Sequence, residues 1–173
     1  MYYTGIDVGS TTVKLIVMNE KNEIQFSCYR RHLSDVRNTI LQVMKECYDI
    51  MGDILTTVSM SGSGGVGMAN ETGIHFVQEV IAGTEAVETF APGTNVAIEL
   101  GGEDAKITYF EASPEQRMNG TCAGGTGSFI DQMASLLQTD ADGLNALAEN
   151  YTEIYPIAAR CGVFAKTDIQ SLL

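Results

Sequence analysis

The chain has 173 residues, 45% of them apolar, and carries a formal charge of −12 at pH 7 with a pI of about 4.4. That length holds one ordinary domain or two small ones, and the acidity argues against nucleic acid as a partner, because phosphate backbones are repelled. No apolar run approaches the roughly 20 residues of a membrane span, and "MYYTGIDVGS" lacks the basic region and apolar core of a signal peptide. The expectation is a cytoplasmic protein without a membrane partner.

In chain order, "YYTGIDVG" reads as a strand ending in a turn. "TTVKLIVM" alternates Val13, Leu15 and Val17 against Lys14, Ile16 and Met18, a strand buried on much of both faces. After the polar turn "NEKNE", "EIQFSCYRRH" is a third strand. An amphipathic helix is predicted from Val36 to about Met51, capped by Ser34 or Asp35. "LTTVSMS" is a fourth strand, followed by a glycine loop and a helix through "VQEVIAGTEAVETF" that Pro92-Gly93 ends. "TNVAIELGG" and "DAKITYFEAS" are two more strands. The rest reads as helical, over about Gly127–Leu137, Ala141–Tyr151 and Val163–Leu173.

An internal repeat runs through this pattern. "IDVGSTTVKLI", from Ile6, aligns without a gap on "IELGGEDAKIT", from Ile98, about 92 residues later. Both copies give strand, carboxylate, glycine turn, then a strand bearing lysine. Each unit therefore opens with an antiparallel hairpin, which speaks against a purely parallel Rossmann sheet. The boundary falls at residues 93–94, dividing the chain into 1–93 and 94–173. The second copy ends at "KTDIQSLL" in mid-helix, so it is expected to be incomplete, part of a longer protein.

In the first copy, Gly9 allows a tight turn, and Ser10, Thr11 and Thr12 bring hydroxyls and N–H groups that can cradle a phosphate. Lys14 adds positive charge. Asp7, at the strand end, can hold Mg²⁺ through water. The second copy supplies Glu99, Gly101, Gly102, Glu103 and Asp104. Two such turns, facing each other, can clamp a polyphosphate and its metal, with one carboxylate orienting the attacking water, which is most of what phosphoryl transfer requires. A simple hairpin with a polar turn is the plainer alternative. "GSGGVG", from Gly62 to Gly67, formally matches a dinucleotide fingerprint, but "VGMANETG" is a poor helix start and a run of βαβ units is absent, so a loop lining a cleft is the better reading. His32 and His75 stand alone and read as surface or loop residues.

The four cysteines, with no export signal, are expected to be reduced. Cys28 and Cys47 fall on apolar faces and read as core. Cys122, before "AGGTGSFIDQM", and Cys161, before "GVFAKTDIQ", sit beside glycine ahead of helices. A helix N-terminus favours the thiolate, the form that binds metals. Two thiolates are half the set of an iron–sulfur cluster, which a two-fold dimer can complete. Two unrelated core cysteines are the alternative, since their separation along the chain is no metal-site spacing.

"GIDVGSTTVK", "ELGGEDAK", "NGTCAGGTGSFID" and "RCGVFAKTDIQSLL" together resemble the ATP-dependent activators of 2-hydroxyacyl-CoA dehydratases. These group with the benzoyl-CoA reductase ATPase subunits in the acetate kinase/sugar kinase/Hsp70/actin superfamily. The resemblance covers almost the whole chain, and the two cysteine segments, which sugar kinases and Hsp70 proteins lack, are its most specific part.

It implies a mixed-sheet α/β architecture, a duplicated RNase H-like fold binding ATP/ADP and Mg²⁺. Asp7 and Glu99 are then the catalytic carboxylates. Gly9, Ser10, Thr11, Thr12, Lys14, Gly101, Gly102, Asp104, Gly125 and Gly127 would contact the nucleotide. It implies a homodimer sharing one [4Fe-4S] cluster on Cys122 and Cys161, an electron donor of the ferredoxin or flavodoxin type, and a dehydratase or related reductase as recipient. The family usually has Asp where Glu99 stands and Gln where Glu103 stands, which implies slower or differently tuned hydrolysis. A sugar or carboxylate kinase of the same superfamily, and a non-catalytic nucleotide-binding domain, are the competing readings; fold alone does not choose among them.

Overall fold

In a computed structural model describing residues 1–110, 114–119, 122 and 124–173, the chain divides into two units, Met1–Gly93 and Thr94–Leu173. The tail of the expected strand "DAKITYFEAS", at 111–113, and residues 120, 121 and 123 of the Cys122 segment lie outside the described residues.

The first unit is built on the predicted hairpin. β1 (Tyr2–Val8) pairs antiparallel with β2 (Thr12–Asn19), and β2 with β3 (Ile24–Arg31). The period of two decides the faces. The pairs Ile6↔Leu15 and Val8↔Val13 share one face, and Asp7↔Lys14 lies on the other. β4 (Thr56–Ser61) runs parallel to β1, and β5 (His75–Phe76) parallel to β4, giving the order β3-β2-β1-β4-β5. Parallel neighbours need a crossover, and α1 (Val36–Met51) lies in the one from β3 to β4.

The core gathers Ile6, Val8, Val13, Leu15 and Val17 with Phe26, Met60, Ala69 and, from α1, Ile40 and Val43. Each fully buried side chain of this kind is worth roughly 1.5–3 kcal/mol over its exposed state. Arg30 of β3 donates two hydrogen bonds to Glu46 of α1, at 2.7 and 2.9 Å. That guanidinium holds the Glu46 carboxyl below its usual range. Cys28 and Cys47 pack against the core, as their faces indicated.

Two short elements escape the sequence pattern. "VGMANET" forms α2 (Val66–Thr72), although its sequence is a poor helix start. Burial supplies what propensity lacks: Ala69 is almost fully buried in the core cluster, and Gly73, in the left-handed region, ends the helix. β5 is too short to show a period. α3 (Glu79–Phe90) then runs to the predicted stop before Pro92-Gly93. His32, expected at the surface or in a loop, lies in the loop between β3 and α1 and is buried there.

In the second unit, β6 (Val96–Leu100) and β7 (Ala105–Tyr109) form the second hairpin, extended by β8 (Glu115–Asn119) in the order β6-β7-β8. β8 reads "EQRMN", with no apolar alternation to announce it; backbone pairing with β7 creates it. The helices α4 (Gly127–Leu136), α5 (Ala141–Glu149) and α6 (Gly162–Gln170) follow as predicted. Among the described residues no helix is long and apolar enough to cross a membrane.

Candidate functional site: two carboxylate–glycine turns and a paired cysteine segment

The turn between β1 and β2 is closed by Gly9 N–H donating to the Thr12 carbonyl at 2.9 Å. Beside it, register builds a polar row across four strands. Ser61 is aligned with Asp7, Asp7 with Lys14, and Lys14 with Tyr29. Lys14 Nζ donates to Asp7 Oδ2 at 2.6 Å, Ser61 Oγ donates to Asp7 Oδ1 at 3.3 Å, and the ammonium lies 5.6 Å from the Tyr29 ring centroid. The row borders a cavity of about 570 Å³ lined also by Ile16, Met18 and Ser59. Both oxygens of Asp7 are therefore oriented, one by a cation and one by a hydroxyl. Ser61 carried no sequence signal; only its register with Asp7 reveals it.

The glycine loop after β4 is packed on the end of β1. Gly64 N–H donates to the Val8 carbonyl at 2.9 Å. Gly62 has φ +90, and a Cβ there would lie 2.2 Å from the Val8 oxygen and 2.6 Å from Asp7 Oδ1. "GSGGVG" is thus a support for the Asp7 strand end.

The second hairpin repeats the device. Glu99 is aligned with Lys106 as Asp7 is with Lys14. Lys106 is only 6% exposed, with Glu99 Oε1 at 3.5 Å and Asp104 Oδ2 at 3.6 Å. A buried ammonium needs such anionic neighbours to offset its lost hydration. Glu99 itself is 58% exposed on its side chain, open to water. The start of α4 docks on this turn: Gly127 N–H donates to the Gly101 carbonyl at 2.8 Å, and Ser128 Oγ donates to the Gly102 carbonyl. A Cβ on Gly127 would stand 3.1 Å from the Gly101 oxygen. Gly101, Gly102, Asp104 and Gly127 are thereby brought together, with Gly125 (φ +86) just before the helix.

The two cysteines are placed differently from one another. Cys161 is the N-cap residue of α6. Cys122, expected at a helix N-terminus, lies ahead of one: the N-cap of α4 is the fully buried Thr126, whose hydroxyl accepts from Phe129 N–H. A hydroxyl is the stronger cap, so the helix begins there. The thiol instead accepts from Gly124 N–H at 3.4 Å, and Asn119 Nδ2 donates to the Cys122 and Gly124 carbonyls at 3.4 and 3.5 Å. Gly124 packs directly on Gly162: a Cβ on either would meet the other's backbone at 3.0 Å. The neighbours of the two cysteines are therefore in backbone contact. Among the described residues no group of three or more His, Cys, Asp or Glu could hold a metal.

Burial sorts the thiols. Cys122 is exposed, Cys28, Cys47 and Cys161 are half-buried, and burial pushes the Cys47 thiol up. In iron-free protein at pH 8, iodoacetamide is expected to modify Cys122 first and Cys47 last, read by mass spectrometry. Because the Cys47 thiol titrates above its unfolded value, its contribution to stability is complete below the unfolded range near pH 8.5 and is lost as pH rises through the folded value. Cys47 alkylating as fast as Cys122 in folded protein contradicts its packing.

Comparison with known proteins identifies the family. The chain is 29% identical over 180 residues to the (R)-2-hydroxyglutaryl-CoA dehydratase activating ATPase of Acidaminococcus fermentans, covering 100% of this chain and 68% of the relative. It is 27% identical over 177 residues to the activator of lactoyl-CoA dehydratase of Anaerotignum propionicum, with the same coverage. The structure of the activator of the 2-hydroxyisocaproyl-CoA dehydratase from Clostridium difficile with bound ADPNP superimposes with a TM-score of 0.84 at 26% identity, over 99% of this chain and 65% of that one. The chain thus spans about two thirds of the length of these relatives. The fold is the mixed α/β fold of the actin, Hsp70 and sugar kinase type. With its family model matched over residues 4–173, the chain belongs to the BadF/BadG/BcrA/BcrD ATPase family.

Proposed function

We propose that the chain is the nucleotide-handling part of an ATP-hydrolysing activator that delivers a low-potential electron to a 2-hydroxyacyl-CoA dehydratase or a related CoA-ester reductase. The observation that carries this reading is the Gly124–Gly162 contact, which joins the Cys122 and Cys161 segments within one unit. The names of the relatives, dehydratase activators, support it. The two units are then the first and second RNase H-like subdomains.

The second unit offers two thiols, Cys122 and Cys161, half the ligand set of an iron–sulfur cluster. That fits a [4Fe-4S] cluster held by Cys122 and Cys161 from each of two copies, a cytoplasmic homodimer. When bound, such a cluster supplies a one-electron relay, charged by a ferredoxin- or flavodoxin-type donor and discharged to the dehydratase. The chain's own part is to hold the Cys122 sulfur with the Gly124 N–H and to carry Cys161 at the head of α6. In the first unit, Gly9, Ser10, Thr11 and Thr12 bind nucleotide phosphates through N–H and hydroxyl groups, Lys14 adds charge, and Asp7 holds Mg²⁺ through water. In the second, Glu99 orients the attacking water, while Gly101, Gly102, Asp104, Gly125 and Gly127 contribute nucleotide contacts.

Iron and acid-labile sulfide in anaerobically prepared full-length protein test this reading, beside Cys122→Ser. The expected result is about four irons per dimer, lost in the variant. ATP-dependent reduction of a dehydratase is the next assay. An iron-free protein that still hydrolyses ATP sinks the electron-donor reading and turns the search to kinase substrates.

A further inference from the structure

His32 is 8% exposed, follows β3, and has both ring nitrogens engaged. Nδ1 lies 3.1 Å from Ser34 N–H, and Nε2 lies 3.3 Å from the Gly9 carbonyl oxygen. A backbone N–H can only donate and a carbonyl can only accept. One species satisfies both: the neutral imidazole with its proton on Nε2. The His32 backbone N–H also donates to the Thr11 carbonyl at 3.1 Å. One residue therefore grips two carbonyls of the Gly9–Thr12 turn, from its ring and from its main chain.

The grip has a consequence for the opposite side of the turn. No peptide bond among the described residues is cis, so the Ser10 N–H points opposite to the Gly9 carbonyl. Holding that carbonyl against His32 aims the Ser10 N–H away from the ring. The turn that carries His32 is itself strained: Leu33 (φ +47) and Ser34 (φ +70) are left-handed without being glycine. Such conformations persist only where neighbours over-determine them, and the Ser34-to-Nδ1 bond does so here.

We propose that His32 is a positioning residue for phosphate binding: its Nε2–H fixes the Gly9 carbonyl so that the Ser10 N–H is presented to the nucleotide. The inference rests on the reading that the Gly9–Thr12 turn takes phosphate. It assigns a role to a histidine that touches no ligand and that no other part of that reading uses.

The test compares His32→Gln, His32→Asn and His32→Ala with the wild type in full-length protein, by ATPase kinetics and MgADP titration. Glutamine can place an amide donor near the Nε2 position and keep the Gly9 contact. Asparagine can place an acceptor near Nδ1, keeping the Ser34 contact and losing Gly9. The expected result is that H32A and H32N raise KM for ATP and the Kd for MgADP about tenfold, the size of one lost hydrogen bond. H32Q stays within about threefold of wild type on the same scale, and kcat changes little in any variant that binds. A residue that merely fills space predicts equal losses for H32Q and H32N, and that equality overturns the proposal, as does unchanged nucleotide affinity in H32A. Should H32A fail to fold, the H32Q–H32N comparison carries the test. A wild-type protein that binds no nucleotide is a different outcome: it removes the function reading itself, and this inference with it.

Discussion

Gly62→Ala is expected to destabilise the first unit by about 4 kcal/mol or more, measured as a shift of the urea midpoint at constant m-value. Three costs add at this position. Gly62 has φ +90, where an L-residue is strained by about 1–3 kcal/mol. The new Cβ would lie 2.2 Å from the Val8 oxygen and 2.4 Å from its carbon, well inside contact distance, so β1 or the loop must move. Any such movement also breaks the bond from Gly64 N–H to that oxygen, a further loss of about 1 kcal/mol. Controls separate these costs. Gly52 (φ +67) and Gly73 (φ +70) have nothing within 4 Å of the position a Cβ would take, so alanine there meets the conformational cost alone. Gly67, helical and unobstructed, should tolerate alanine with a gain of about 0.4–1 kcal/mol. A Gly62→Ala protein no less stable than Gly73→Ala means the loop does not press on the strand end.

Asp7→Asn is expected to do the reverse: abolish activity while sparing the fold. ATP hydrolysis should fall by at least about 100-fold, the scale seen when one preorganised charge or donor is lost at a reacting centre. Stability should change by less than about 1 kcal/mol, because the Asp7–Lys14 pair is partly exposed and solvent screens it. The two readouts divide the possible roles of this carboxylate. If Asp7 serves only as the partner of Lys14, its loss moves stability a little and turnover less than threefold. If it holds Mg²⁺ through water, turnover collapses and MgADP binding weakens more than binding of metal-free ADP. Ser61, which donates to the other oxygen, stays in place in either case, so the substitution changes charge without removing that support.

Much of the fold was legible along the chain because its determinants are local. The alternation of Val13, Leu15 and Val17 against Lys14, Ile16 and Met18 required a strand, expected to be buried on much of both faces; β2 buries the first three and leaves the other three half-buried. The amphipathic pattern from Val36 to Met51 required a helix, and α1 has the predicted span, burying Ile40 and Val43 while Met44 stays exposed. The repeated order of carboxylate, glycine turn and lysine anticipated a hairpin in each unit, realised as β1–β2 and β6–β7, and it is their register that pairs Asp7 with Lys14 and Glu99 with Lys106. Elements held together by remote partners were not legible. β8 is polar throughout and exists through its ladder with β7, and α2 is too short to carry a period and relies on burying Ala69.

The same division runs through the candidate site. The sequence by itself determined where carboxylates, hydroxyls, glycines and thiols gather at turns, because turn chemistry is written locally in the chain. Only the tertiary structure decided how they are held. It put Gly62 against Val8 and Ser61 against Asp7, and it turned an apparently solitary His32 into the clasp of the Gly9 turn. It also brought Gly124 onto Gly162, so that two cysteines distant along the chain lie on adjoining segments. Contacts of this kind join residues far apart in the chain and leave no periodicity behind. They become visible only when strand register and the absence of side chains at paired glycines let one backbone approach another.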